Sequence, residues 1–337
     1  MSTGWTRVIE GYYKCPVPFA VTTSALTAAY SASLGGHRVT ITLPSAAGTS
    51  MHHNDLTEPD WHYPERDNPL SRLPELAPYW GQVVVWANDH TTPKAVSVRR
   101  FRIATDAAGD DDEVRDVGRQ LAEAAPAWWA AVSAWIETLH HQDLSRLGPI
   151  EPGLHFNDTT LWTQLYSLHG HPIREGALLP VGSSATGLVW PNYAPIDADQ
   201  IQQCIAHAEH RGPPAAEWLL IRDANSLCAG HDFRRAVLDA GLAAELAVTQ
   251  LISAHMTANG QTTNRIETVL REYQMLGRRC TYWIHHCGGT LPTNYQRRLI
   301  DRRNAATHSG HTPPENDVRD AIAVAAEIVA QAIPLPS

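Results

Sequence analysis

Ile300-Asp301-Arg302-Arg303-Asn304-Ala305-Ala306-Thr307-His308-Ser309-Gly310 is the stretch from which the rest of this chain can be read. It has the composition of the last turns of a helix. Ser309-Gly310 supplies the stop, Pro292-Thr293 supplies the start, and Gln296 stands three residues after Thr293, where a capping box needs it. The segment brings a guanidinium, Arg303, close in sequence to an imidazole, His308. A fixed cation beside a side chain that changes protonation near neutral pH suits chemistry on phosphodiesters.

Outward from this stretch, everything from Ala215 onward has helical periodicity. The spacing predicts five helices, over 216–228, 232–255, 264–287, 293–308 and 312–333, joined by short turns into an antiparallel bundle. Asn264 with Glu267, and Thr312 with Glu315 behind Pro313-Pro314, have the form of helix starts.

The first 212 residues are of another kind. Ala20-Val21-Thr22-Thr23, Val39-Thr40-Ile41-Thr42-Leu43, Gln82-Val83-Val84-Val85-Trp86-Ala87 and Ala95-Val96-Ser97-Val98-Arg99 carry strand signals, with Gly35-Gly36 and Thr91-Thr92-Pro93 as turns. Residues 45–79, polar and rich in proline, predict a long loop. Asp110-Asp111-Asp112-Glu113 opens a helix that should break or kink at Pro126, and 197–210 predicts another helix. Residues 148–195 read as short strand-like and loop-like pieces, among them Leu161-Trp162-Thr163-Gln164-Leu165-Tyr166 and Gly187-Leu188-Val189-Trp190. Arg211-Gly212-Pro213-Pro214 reads as a boundary. The expectation is therefore an α+β chain, with a mixed, strand-rich unit over 1–212 and an all-α bundle over 213–337.

Composition narrows the class. With 337 residues, 43% hydrophobic and 18% charged, the chain can bury more than one core. No run approaches eighteen apolar residues, and no signal peptide opens the sequence, so no membrane partner is expected. Five scattered cysteines, Cys15, Cys204, Cys228, Cys280 and Cys287, fit a reducing cytoplasm better than a disulfide framework. Residues 213–337 hold twelve arginines, no lysine and twelve acidic residues, so the net charge of −9 belongs to the first 212. That balance argues against a broad nucleic-acid footprint and leaves a focused patch, Arg297, Arg298, Arg302 and Arg303.

Ala236-Val237-Leu238-Asp239-Ala240-Gly241-Leu242-Ala243-Ala244-Glu245-Leu246, followed by Asp301-Arg302-Arg303-Asn304-Ala305-Ala306-Thr307-His308, resembles a HEPN domain, the all-helical family marked by Arg, a polar residue, a few spacers and His. The resemblance covers roughly 215–333 and leaves the first 212 residues unassigned. It implies a metal-independent endoribonuclease of the toxin or anti-phage defence type, without a cofactor, working as a homodimer through the helical unit. It implies RNA as the partner, with transfer RNA a frequent target of the family; beside it, the expectation for the N-terminal unit is that it binds a phage-derived or other trigger. The catalytic residues it points to are Arg303, Asn304 and His308, with Arg302, Arg298 and Arg297 as RNA contacts and Glu245 in support.

The residues permit that chemistry. Metal-free RNA cleavage uses the 2′-hydroxyl as nucleophile; an imidazole can take its proton, and a guanidinium can grip the phosphorane bidentately. Asn304 is four residues before His308 and shares its helix face. Arg303 and His308 are five apart, about 140° around an ideal helix, so one copy makes a poor complete site and two copies across a dyad a better one. Other readings stand beside these. His308 could simply complement a helix dipole, Arg302 could be a solvated face, and the alternative function is a non-catalytic RNA- or nucleotide-binding dimerisation module regulated by the N-terminal unit. Glu245 falls beside an apolar arc and calls for a partner, an arginine of the motif helix, or snorkels to solvent. Cys280, His285, His286 and Cys287 match no standard zinc spacing.

Overall fold

The computed structural model describes residues 7–62, 79–149 and 194–336, together with four three-residue strands between 149 and 194. His169 and His171, which have no Cys or acidic neighbour at ligand spacing, and Gly182-Ser183-Ser184, which fits no phosphate loop, lie outside the described residues. The chain is α+β: an antiparallel sheet and two helices come first, and a helical region follows.

The sheet is built on β5 (Pro93–Ala107). Its long partner β1 (Arg7–Thr22) runs antiparallel to it, with a register shift between Lys14 and Phe19 where Pro16 and Pro18 cannot donate to a ladder. β4 (Gly81–Trp86) pairs with the first half of β5 and β3 (His37–Thr42) with the second, while β2 (Ala29–Leu34) closes onto β3 through the turn at Gly35 and Gly36. Period-2 alternation decides which face is covered. In β2, Tyr30, Ala32 and Leu34 are buried while their neighbours face out.

α1 (Asp111–His140) lies on that face. Asp110 and Glu113 form a reciprocal capping box, and the helix runs unbroken through Pro126, a correction to the break expected there. Its buried stripe, Leu121, Ala125, Trp129, Val132 and Ile136, meets the sheet. The Trp129 ring packs 5.1 Å from Phe19 and 5.3 Å from Phe101. Each such side chain removed from water contributes about 1.5–3 kcal/mol. α2 (Ala198–Arg211), capped by Asp197 and Gln200, completes the layer with Ile201, Cys204 and Ile205. β6 to β9 (Gly153–His155, Leu161–Thr163, Leu179–Val181, Gly187–Val189) pair as two separate ribbons, β6 with β9 and β7 with β8.

A second core begins after Gly212. α4 (Phe233–Ala258) is its axis. α4 is long and apolar enough to cross a membrane by length and composition, yet its small-residue face, Ala236, Ala240, Ala243, Ala244 and Ala247, is wholly buried in the bundle. Against it pack α3 (Ala216–Ala229), α5 (Thr263–Glu272), α6 (Leu276–Cys287), α7 (Asp301–His308) and α8 (Glu315–Ala332). The bundle has six helices where periodicity predicts five. The expected 264–287 helix is two, α5 and α6, separated at Tyr273, Gln274 and Met275, and the Tyr273 carbonyl accepts from Arg279 Nε at 3.1 Å instead of continuing the helical ladder.

Three predicted caps do not form. α5 is capped two residues earlier than Asn264, by Thr262, whose hydroxyl accepts from Arg265 N. Thr312 does not cap α8; Pro314 holds the N-cap position, and Glu315 turns to Arg319. At Thr293 the chain takes a left-handed step at Asn294, and Gln296 donates to Asp301 Oδ1 at 2.8 Å.

The two cores meet in few places. Leu147 N donates to Ser226 Oγ at 2.8 Å, and Gly148 crosses Gly230 so closely that a Cβ on either would overlap the other's backbone. Leu335 packs against both cores.

Candidate functional site

The site begins with a local irregularity. The helix that carries the Arg-Asn-x-x-x-His pattern opens as one π-helical turn, Gln296–Ile300, before continuing as α7. A π turn holds more residues per turn than an α turn, so it shifts the phase of all that follows; such turns recur at functional positions. Leu299 and Ile300 point into the core, and Arg303 comes to lie across α4.

Gly241 makes that crossing possible. A Cβ there would stand 2.7 Å from Arg303 Cγ, closer than any side chain tolerates. One turn further along α4 is Glu245. Its Oε2 is 3.5 Å from Arg303 Nη2, and its Oε1 accepts from Arg279 Nη1 at 3.1 Å. Arg279 Nη1 also reaches Thr249 Oγ1 at 2.9 Å. One carboxylate thus stands between two guanidiniums, all three side chains mostly shielded from water: 23% exposed for Arg303, 19% for Glu245 and 16% for Arg279. The cluster keeps a net positive charge. Arg279 is the more tightly engaged. Among the described residues Arg303 has the 3.5 Å pair and a 3.4 Å contact from Nη1 to Asn304 Oδ1, which leaves most of its five N–H donors for a ligand.

His308 closes α7 and is exposed. The helix end it stands on is well held. Arg234 Nε of α4 donates to the Ala306 carbonyl at 3.0 Å, and Ser309 N to that of Ala305 at 3.0 Å. Between 303 and 308 the helix is regular α, so the two side chains leave it about 140° apart. Arg303 turns to α4 while the imidazole stands in solvent, and one copy does not bring them together on one face.

The other arginines of the patch divide. Arg298 forks onto Asp320 of α8, with Nε 2.9 and 2.8 Å from the two carboxylate oxygens. The pair holds Asp320 below the usual carboxylate range and pushes Arg298 up. Arg302 is tied to Asp317, 2.9 Å away. Arg297 is exposed, and no ion pair engages it among the described residues.

Periodicity points to Glu245 and to an arginine of the motif helix as its partner. It does not find Arg279. The signal was present, since Arg279 falls on the buried arc of Leu276, Cys280 and Trp283, where a charge requires a partner. The π turn left no mark in the sequence. Near the end of α6, His286 stacks on Tyr282 at 4.8 Å and burial pushes the Cys280 thiol up to about 12. Among the described residues no three His, Cys, Asp or Glu side chains gather as a metal-binding set. No family model, no curated protein and no solved structure matches this chain.

Proposed function

We propose that the helical unit is an endoribonuclease of the HEPN kind, acting as a pair of chains. The observation that carries this reading is the state of Arg303. It is seated over Gly241, shielded from bulk water, and only partly neutralised by a carboxylate that Arg279 already holds. A guanidinium so placed costs little to reorganise when negative charge develops on a bound phosphate, which is the condition for electrostatic stabilisation of a transition state.

In the proposed reaction the His308 imidazole takes the proton of a ribose 2′-hydroxyl. The 2′-oxygen attacks phosphorus, Arg303 stabilises the equatorial oxygens, and the P–O5′ bond breaks. The imidazolium so formed returns the proton to O5′, leaving a 2′,3′-cyclic phosphate and a 5′-hydroxyl. Asn304, on the face of His308, orients the imidazole or the phosphate. Two copies are required because Arg303 and His308 diverge around α7. Arg297 is the motif-helix cation free to steer the strand, while Arg298 and Arg302 brace α7 against α8. A nuclease of this kind, with an N-terminal unit that responds to a trigger, is the design of a toxin or anti-phage effector.

The test is incubation of the full chain with total RNA in EDTA beside Arg303→Ala and His308→Ala. Cleavage by the unmodified chain alone, with cyclic-phosphate ends, supports the reading. Tight RNA binding by all three without cleavage would leave a binding module instead.

A further inference from the structure

Where the two cores approach each other, a cleft of about 320 Å³ opens between the end of α1, the outer face of α3 and the outer face of α8. α8 contributes Arg319, Ile322, Ala323 and Ala326 to its wall, and the two alanines leave room there. Its floor is apolar, formed by Trp218, Ile221 and Ile322. That volume is near the lower end of the range that small-molecule sites occupy.

Three features of the lining ask for a ligand. Thr138 is 6% exposed, and its hydroxyl has no hydrogen-bond partner, an unusual condition for a buried polar group. Arg222 and Arg319 both line the cleft; Arg222 is paired with Asp223, outside the lining, and more loosely, at 3.7 Å, with Glu137 in the wall, whereas Glu315, the partner of Arg319, is outside it. The Arg319–Glu315 pair is well exposed to solvent and therefore weak, so that guanidinium is free to turn inward. Asn225 spends its amide N–H on the Ile221 carbonyl at 3.0 Å and keeps its oxygen. Glu137, the one carboxyl in the wall, accepts from Leu144 N, Ser145 N and Ser145 Oγ and stands 3.7 Å from Arg222 Nε, so Arg319 is the guanidinium with the freer charge.

We propose that this cleft binds a small organic anion, an apolar body the size of one or two rings carrying a single carboxylate or phosphate. The ring body lies on Trp218 and the alanines of α8, the anionic group meets Arg319 and Arg222, and a ligand acceptor takes the idle Thr138 hydroxyl. Such a ligand touches the last turn of α1 and two helices of the bundle at once, so its binding ties the N-terminal unit to the helical one. This goes beyond the nuclease reading and does not depend on it.

Calorimetric titration of the full chain tests it with four probes: indole-3-acetate, adenosine 5′-monophosphate, and, as controls lacking one half of the proposed ligand, indole and inorganic phosphate. At least one of the two organic anions should bind tenfold or more tighter than both controls, and which one binds identifies the head group. Arg319→Gln, at an exposed position where folding is safe, should weaken that binding at least tenfold, and Thr138→Val about threefold. Ala323→Trp, which fills the cleft from α8, should abolish it. If neither organic anion outbinds the controls, or if Arg319→Gln binds as tightly as the unmodified chain, the cleft is not such a site.

Discussion

Arg303 crosses α4 directly over Gly241, with no room between them for a methyl group. The glycine is not there for backbone freedom, since it sits inside a regular helix. Gly241→Ala should gain about 1 kcal/mol of helix propensity and lose about 1–3 kcal/mol to overpacking, leaving the fold intact and modestly less stable. RNA cleavage should fall at least tenfold, because the guanidinium is displaced. Urea denaturation and a cleavage assay on the same sample separate the two effects; full activity would show that the position of Arg303 over α4 is irrelevant.

Glu245 holds two cations, and the distances predict unequal shares. A double-mutant cycle between Glu245→Gln and Arg279→Ala should give a coupling toward the upper part of the usual range of about 0.5–3 kcal/mol for contacting charged residues. The cycle with Arg303→Ala should give a smaller value, as its pair is longer. Equal couplings would mean that Arg303 is bound as a structural salt bridge and has no reserve for a phosphate.

His308 stands exposed at a helix end, so His308→Ala should change stability by no more than about 0.5–1 kcal/mol, the value of a dipole interaction at most. Cleavage should nevertheless vanish. A variant that keeps its activity would reduce His308 to a helix-end cation.

The divergence of Arg303 and His308 around α7 has a consequence for mixed assemblies. Arg303→Ala and His308→Ala chains, each inactive alone, should regain a measurable fraction of activity when unfolded together and refolded, because a mixed pair contains one site with both groups. Mixtures that remain as inactive as their parents would place both groups in one chain.

Burial pushes the Glu137 carboxyl up to about 7, against the pull of Arg222 and three hydrogen-bond donors. The folded state therefore holds this proton more tightly than the unfolded chain, where the carboxyl titrates near 4.5. Its contribution to stability is complete below about pH 4.5 and is lost as pH rises through about 7, an effect on the order of 3 kcal/mol. Glu137→Gln keeps an oxygen for Leu144 N and Ser145 N, and it should flatten the decline between pH 5 and 8 in denaturant titrations. An unchanged slope would assign the decline to other groups.

Local chemistry made much of this protein legible without coordinates. Alternation marked the strands at Val39 and Val96, the acidic run at 110–113 marked the start of α1, and 3.6-residue periodicity marked the bundle, because each depends on neighbours a few residues away. The arginine, asparagine and histidine of α7 and the need of Glu245 for a partner were equally visible. Tertiary structure alone decided the rest. Whether Gln296 caps a helix or bonds Asp301, whether one π turn rotates Arg303 onto Gly241, and whether Arg279 shares Glu245 are all competitions between near-equal local options. They are settled by the packing of α4 against α6 and α7, and that packing joins residues too far apart in the chain for any local pattern to record.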